Sequence, residues 1–144
     1  MLKISFPDGR TQTFEKEPNG FEIAKCISIS LSKKAVAMKV DGILMDLCDS
    51  IKSDSTVEII TLDSDEGLEI MRHTVAAQVL AKAIKNLYPN SKLAIGPTIQ
   101  DGFYYDVLFE EKISIDQFPL IEEEMNNIVQ KGEKIIKFIK KKEE

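Results

Sequence analysis

Leu2-Lys3-Ile4-Ser5-Phe6 and Thr11-Gln12-Thr13-Phe14-Glu15 alternate in polarity on either side of Pro7-Asp8-Gly9-Arg10. Alternation with period two puts one set of side chains on each face of a strand. Asp-Gly between two such runs is a hairpin signal, because glycine accepts the positive φ that a tight turn demands. The chain therefore opens with two antiparallel strands.

Working outward, Asn19 is placed to cap a helix over roughly residues 20–28 that buries Phe21, Ile23, Ala24 and Ile27. Ser28, Ser30 and Ser32 compete for helix hydrogen bonds and should end or tighten it. A third strand, Ala35-Val36-Ala37-Met38-Lys39-Val40, is turned by Asp41-Gly42 into a fourth, Ile43-Leu44-Met45-Asp46-Leu47, and Thr56-Val57-Glu58-Ile59-Ile60-Thr61-Leu62 makes a fifth. The order β-β-α-β-β-β in one short segment is that of a β-grasp, a mixed sheet curled over one helix. Residues 1–62 are read as that domain, and the chain as α+β.

The polar stretch Asp63-Ser64-Asp65-Glu66-Gly67 separates it from a second domain, read at 66–144. A long helix is expected over roughly residues 67–88, with Leu68, Met71, Val75, Ala76, Val79, Leu80, Ala83 and Leu87 on its apolar stripe and Pro89-Asn90 as its stop. Arg72 falls near the middle of that stripe, where a snorkelling side chain or an ion pair would accommodate it. Ile95-Gly96-Pro97-Thr98-Ile99-Gln100-Asp101-Gly102-Phe103-Tyr104-Tyr105-Asp106 reads as a strand, a Gly-Pro break, an Asp-Gly turn and an aromatic return strand. Its paired tyrosines either divide between core and surface or offer rings and hydroxyls to a small polar ligand. Ser114 or Asp116 then caps a helix with Pro119 in its first turn. Ile121, Met125, Ile128 and Val129 should share one face, and Glu122, Glu123 and Glu124 should lie in the first turns, where the macrodipole favours them. Lys134-Ile135-Ile136-Lys137-Phe138-Ile139 looks like a closing strand.

Composition limits the partners. Nineteen Lys+Arg face 24 Asp+Glu, a formal charge of -5, which argues against broad nonspecific binding to nucleic acid, DNA included. The six lysines between residues 131 and 142 could track a phosphate backbone, although charge runs near a chain end are usually just solvated. Cys26 and Cys48 form no C-x-x-C pair, and one histidine supplies no zinc site with them at a familiar spacing, so no metal is expected and reduced thiols are the default. No apolar run approaches the roughly 20 residues of a membrane span, and the N-terminus lacks a signal-peptide core. The expected location is cytoplasmic, with no membrane partner. The lone histidine, His73, sits beside the apolar stripe of the long helix. It is read either as a hydrogen-bonded bystander or as a group that positions water and shuttles a proton.

Three sets of residues carry a specific resemblance. Ile95-Gly96-Pro97-Thr98-Ile99 followed by Gly102-Phe103-Tyr104-Tyr105-Asp106 resembles the Ile-Gly-Pro-x-Ile-x-x-Gly-Phe-Tyr-Tyr-Asp signature of threonyl-tRNA synthetases. Phe6-Pro7-Asp8-Gly9, Ala24-Lys25 before the serine-rich bend, and Val40-Asp41-Gly42 resemble the TGS domain that opens the bacterial members. Met71-Arg72-His73-Thr74 is similar to the start of their editing-site helix.

The resemblance implies an N-terminal region of a threonine–tRNA ligase: a TGS domain, then the first part of the editing domain that hydrolyses serine wrongly attached to the tRNA. By the same resemblance His73 is catalytic in editing, and Tyr105, Gly96, Pro97 and Gln78 line the substrate site. Family members carry a second histidine four residues on. Here that position is Ala77, and Gln78 takes the histidine's place once Val79-Leu80-Ala81-Lys82-Ala83 is aligned, which requires one extra residue before Pro89. An extra residue rotates the rest of a helix by about 100° unless a bulge absorbs it. The family's further cysteine and histidine have no counterpart here, so the editing site is incomplete. The class II aminoacylation core, with its ATP, Mg and Zn, lies outside this chain and no cofactor is expected within it. The implied partner is tRNA, and the whole enzyme is expected to dimerise through that core. Whether residue 144 is a natural end or a boundary within a longer chain stays open. The rival readings are a free-standing TGS module that binds RNA or protein without catalysis, and a trans-acting deacylase.

Overall fold

The computed structural model describes residues 1–142, so the last two residues of the expected second domain lie outside the described residues. Two compact units divide between Met71 and Arg72.

The first unit begins with strands β1 (Leu2–Ser5) and β2 (Thr11–Phe14), antiparallel with Leu2 opposite Phe14. Gly9 takes φ +86° in the turn, and the Gly9 amide donates to Phe6 O at 2.9 Å. Helix α1 (Gly20–Ile27) starts at a full capping box: the Asn19 side chain accepts from Glu22 N at 3.0 Å, and the Glu22 carboxylate accepts from Asn19 N at 2.9 Å. Ser28 ends it, in line with the serine-rich bend. It also caps a short helix that the sequence does not announce, α2 (Ile29–Lys34). Strands β3 (Ala35–Val40) and β4 (Ile43–Met45) form a second hairpin, with positive φ at both Asp41 and Gly42. β4 stops two residues short of Leu47. Strand β5 (Ser55–Thr61) completes a five-stranded sheet ordered β2-β1-β5-β3-β4, with β1 and β5 parallel. This is the β-grasp.

Its core is Ile4, Ile23, Met38, Leu47, Ile51 and Val57, all buried between α1 and the sheet. Gly20 is required at the start of α1, since a Cβ there would sit 2.9 Å from Leu47 Cα, and its amide donates to Leu47 O at 2.8 Å. Phe21 is half exposed, against expectation. The buried face is centred on Gly20, Ile23, Ala24 and Ile27, and one residue beyond Gly20 is a turn of about 100° towards the flank.

Helix α3 (Asp65–Thr74) starts two residues before the expected 67, because Ser64 Oγ accepts from Gly67 N at 3.0 Å. Gly67 lies against the end of β5, and Glu66 accepts from Lys39 Nζ at 2.6 Å. That bond holds the Lys39 ammonium above its ordinary pKa.

In the second unit the helical run continues as a π-helix (Val75–Leu80) and then as α4 (Ala81–Leu87). Short antiparallel ladders come next: β6 (Lys92–Leu93) with β9 (Val107–Leu108), and inside them β7 (Thr98–Ile99) with β8 (Gly102–Phe103). The expected Asp-Gly turn falls one residue earlier, on Gln100-Asp101, because Gly102 pairs with Ile99. A 3₁₀ turn (Ile115–Gln117), capped by Ser114, leads into α5 (Phe118–Lys131) with Pro119 in its first turn, closed by Gly132 at φ +58°.

Helix α5 packs on α4 through Ala83, Ile84 and Ile121. With α5 beginning at Phe118, Glu122, Glu123 and Glu124 occupy its second turn, past the strongest reach of the helix dipole. Val129 is 62% exposed, off the face that Ile121, Met125 and Ile128 share. Lys134–Ile139 forms no strand: none of the sheets among the described residues includes it, and strand composition without a β-ladder is not a strand.

Candidate functional site

The π-helix decides which side chains the long helical run presents. Its hydrogen bonds run from N–H to the fifth carbonyl back, as from Ala81 N to Ala76 O. One more residue per closed turn is how a helix absorbs a single extra residue without re-aiming its later turns. The consequence is visible in α4. A uniform α-helix from residue 67 would put Leu87 on the apolar stripe, yet Leu87 is 37% exposed while Ile84 is 4% exposed in the core. Residues five apart approach one face across such a turn, and His73 and Gln78 are five apart. Both are exposed.

Deleting Ala77 should therefore convert the π-turn to ordinary helix and leave Ile84 against Ile121. The thermal midpoint is expected to stay or rise, whereas deleting Glu124 in the regular helix α5 should lower it sharply by turning Ile128 away from the core. Equal losses in the two deletions, measured by circular dichroism melts, would contradict this account of the turn.

Gln78 lines one side of a cleft of ≈ 420 Å³ with Thr74 and Lys82, facing Ile128 of α5 and Ile135 and Phe138 beyond it. Lys82 pairs with Glu133 at the cleft's end, which draws the Glu133 carboxyl below the usual carboxylate range. Tyr105 belongs elsewhere. From Phe103 to Phe109 every second residue points inward, so Phe103, Tyr105, Val107 and Phe109 floor a separate groove of ≈ 890 Å³ walled by Leu80, Ile84 and Ile121. Tyr104, on the other face, is 65% exposed.

Gly96 is what admits the Tyr105 ring, since a Cβ on it would lie 2.5 Å from Tyr105 Cδ2. Pro97 O accepts from Tyr104 N at 3.0 Å, and Ile95 O from Asp106 N at 2.9 Å, which carries the hairpin across the Gly-Pro break. The structure thus brings Gly96, Pro97 and Tyr105 together. It places Gln78 in the neighbouring cleft and His73 on the helix surface, lining neither. The groove itself went unread in the sequence, although its signal was there in the alternation from Phe103 to Phe109. For metals, Asp46, Cys48 and Asp49 of the first unit bring ligand atoms within 4.8 Å of one another. The Asp49 carboxylate there accepts from Asp46 N at 3.2 Å, closing the turn.

Among known sequences, residues 2–61 match the TGS domain family. The first unit is a TGS domain. The resemblance does not stop at its edge. The chain is 50% identical over 129 residues to threonine–tRNA ligase 1 of Bacillus subtilis (90% of this chain, 20% of the relative). It is 44% identical over 142 residues to the threonine–tRNA ligase of Staphylococcus epidermidis (99% and 22%). With the corresponding ligase of Clostridium novyi identity is 45% over 144 residues (100% and 22%). The chain is homologous to the N-terminal region of threonine–tRNA ligases and spans about a fifth of the length of these relatives. Among the described residues no helix is long and apolar enough to cross a membrane.

Proposed function

We propose that this chain is the tRNA-contacting and proofreading part of a threonine–tRNA ligase, with residues 1–62 as a tRNA-contacting TGS domain and residues 66–144 as the first part of the editing domain. The observation that supports this over a free-standing TGS module is similarity extending through both units, 100% of the chain in one relative. On this reading His73 positions water and moves a proton beside the misattached seryl group, and Tyr105, seated on Gly96 next to Pro97, bounds the pocket. Gln78 holds a water but accepts no proton near neutral pH. Joining threonine to tRNA belongs to the remainder of the ligase, together with its ATP, Mg, Zn and dimer contact, in the cytoplasm. The chain alone binds none of these cofactors.

A lone imidazole working without a partner base loses orders of magnitude, because grouped catalytic residues act as a unit. The chain should therefore deacylate serine-charged threonine tRNA feebly, His73→Ala should abolish even that weak activity, and Gln78→His should raise it. Threonine-dependent pyrophosphate exchange should stay at background. Robust deacylation unchanged in His73→Ala would show that the site is misplaced.

A further inference from the structure

Asn19 is the only asparagine of the chain that is followed by glycine. The chemistry of that pair follows from what glycine lacks. Without a Cβ, nothing shields the Gly20 nitrogen from the side-chain amide carbon of Asn19, and the backbone turns freely enough to bring the two together. In an open chain that nitrogen, once deprotonated, attacks Asn19 Cγ. The N–Cγ bond forms, the side-chain amide leaves as ammonia, and a five-membered succinimide closes. Water then opens the ring at one of two bonds. Cleavage at Cγ leaves aspartate on an unaltered backbone. Cleavage at the main-chain carbonyl leaves isoaspartate, with the chain rerouted through Cβ and Cγ.

The fold blocks the first step at each atom it needs. Gly20 is buried, and its N–H donates to Leu47 O at 2.8 Å. Ring closure needs Asn19 Cβ and Gly20 N nearly eclipsed about the Cα–C bond, whereas a ψ of 173° holds them staggered. Asn19 Oδ1 accepts from Glu22 N at 3.0 Å. Asn19 also bridges Ser50, and Pro18 O accepts from Ile51 N at 2.9 Å. All these partners lie within residues 18–51, so the block is complete inside the β-grasp.

We propose that Asn19 is a deamidation site switched by folding, inert in the folded first unit and reactive whenever the start of α1 comes away from Leu47–Ile51. The two products part ways. Aspartate caps a helix as well as asparagine does, and its charge suits a helix N-terminus, so aspartate chains refold. Isoaspartate adds a main-chain atom beside Gly20, where even a Cβ would meet Leu47 Cα at 2.9 Å, so those chains do not restore α1. An opening is thereby recorded irreversibly. The reaction is independent of what the chain binds or hydrolyses.

Mass spectrometry of the tryptic fragment Glu17–Lys25 reads the reaction, since Asn19 carries its only side-chain amide. The whole chain is held at mildly alkaline pH in buffer and in guanidinium chloride. Asn19 should convert roughly tenfold or more slowly in buffer, because reaction there waits on rare openings. Ile23→Ala, which removes the residue that seats α1 in the core, should raise the rate in buffer towards the denatured one. Among chains converted in denaturant and then returned to buffer, the folded fraction should carry aspartate and the unfolded fraction isoaspartate. Conversion of the parent chain as fast in buffer as in denaturant overturns the proposal, and so does an Ile23→Ala rate equal to the parent's. Isoaspartate in the folded fraction overturns the lasting record.

Discussion

Replacing Gly67 by alanine is expected to dislodge the start of α3 and destabilise the first unit by about 3 kcal/mol or more, at the upper end of what overpacking costs. The new methyl would lie 1.8 Å from Thr61 O and 2.6 Å from Thr61 C. Both are backbone atoms at the end of β5, so no side chain can swing aside to make room. Relief requires the helix to lift, and lifting it breaks the bond from Gly67 N to Ser64 Oγ and draws Glu66 from Lys39. Chemical denaturation followed by circular dichroism reads the loss. An alanine variant as stable as the parent would mean that α3 does not sit where it is described. A Lys39→Ala variant is the control: an exposed ion pair contributes little, so most of the Gly67 effect must be steric.

Ile23→Ala should have a comparable or larger effect. Ile23 is fully buried, and α1 contributes little else to the core beyond Ala24 and Ile27. Truncating a buried isoleucine costs about 2–5 kcal/mol. A domain of this size has roughly 4–10 kcal/mol in all. The variant should populate the unfolded state substantially at ambient temperature, seen as collapsed amide dispersion for residues 1–71. Phe21→Ala, on the exposed flank of the same helix, should change stability by under about 1 kcal/mol. A reversal of that order would place the helix about 100° from its observed rotation.

The β-grasp was readable because its instructions are local. Asp8-Gly9 and Asp41-Gly42 specify their turns through residues that accept positive φ, and Asn19 with Glu22 writes the helix start into four positions. The features that escaped were set by neighbours at a distance. The π-turn leaves no mark in hydrophobic periodicity, because alanines at 76, 77, 81 and 83 fit either phase of the helix, and only the extra residue before Pro89 raised a bulge as one of two outcomes. Only the packing of Ile84 on Ile121 shows which phase won. Residues 134–139 have the composition of a strand, yet a strand exists only where another lies beside it. In the candidate site, Tyr105 and Gly96 were identified as neighbours from a short motif and touch in the structure. Gln78 and Tyr105 line different cavities because the helical run shows them different sides.

The order of strands in the first unit governs how it is made. β5 occupies the centre of the sheet, between β1 and β3, although it is the last strand to be synthesised. Until it arrives, the β1–β2 and β3–β4 hairpins have no common partner, and each exposes an inner edge ready to pair with any extended chain. At some 5–20 residues per second on the ribosome, that interval lasts seconds. The β1–β5 pairing joins Ile4 to Ser55, so closing the sheet also requires the longest loop in the unit to close first. Slow folding and a nascent chain that needs shielding are therefore built into this topology, and substitutions in β5 should act mainly on yield during synthesis.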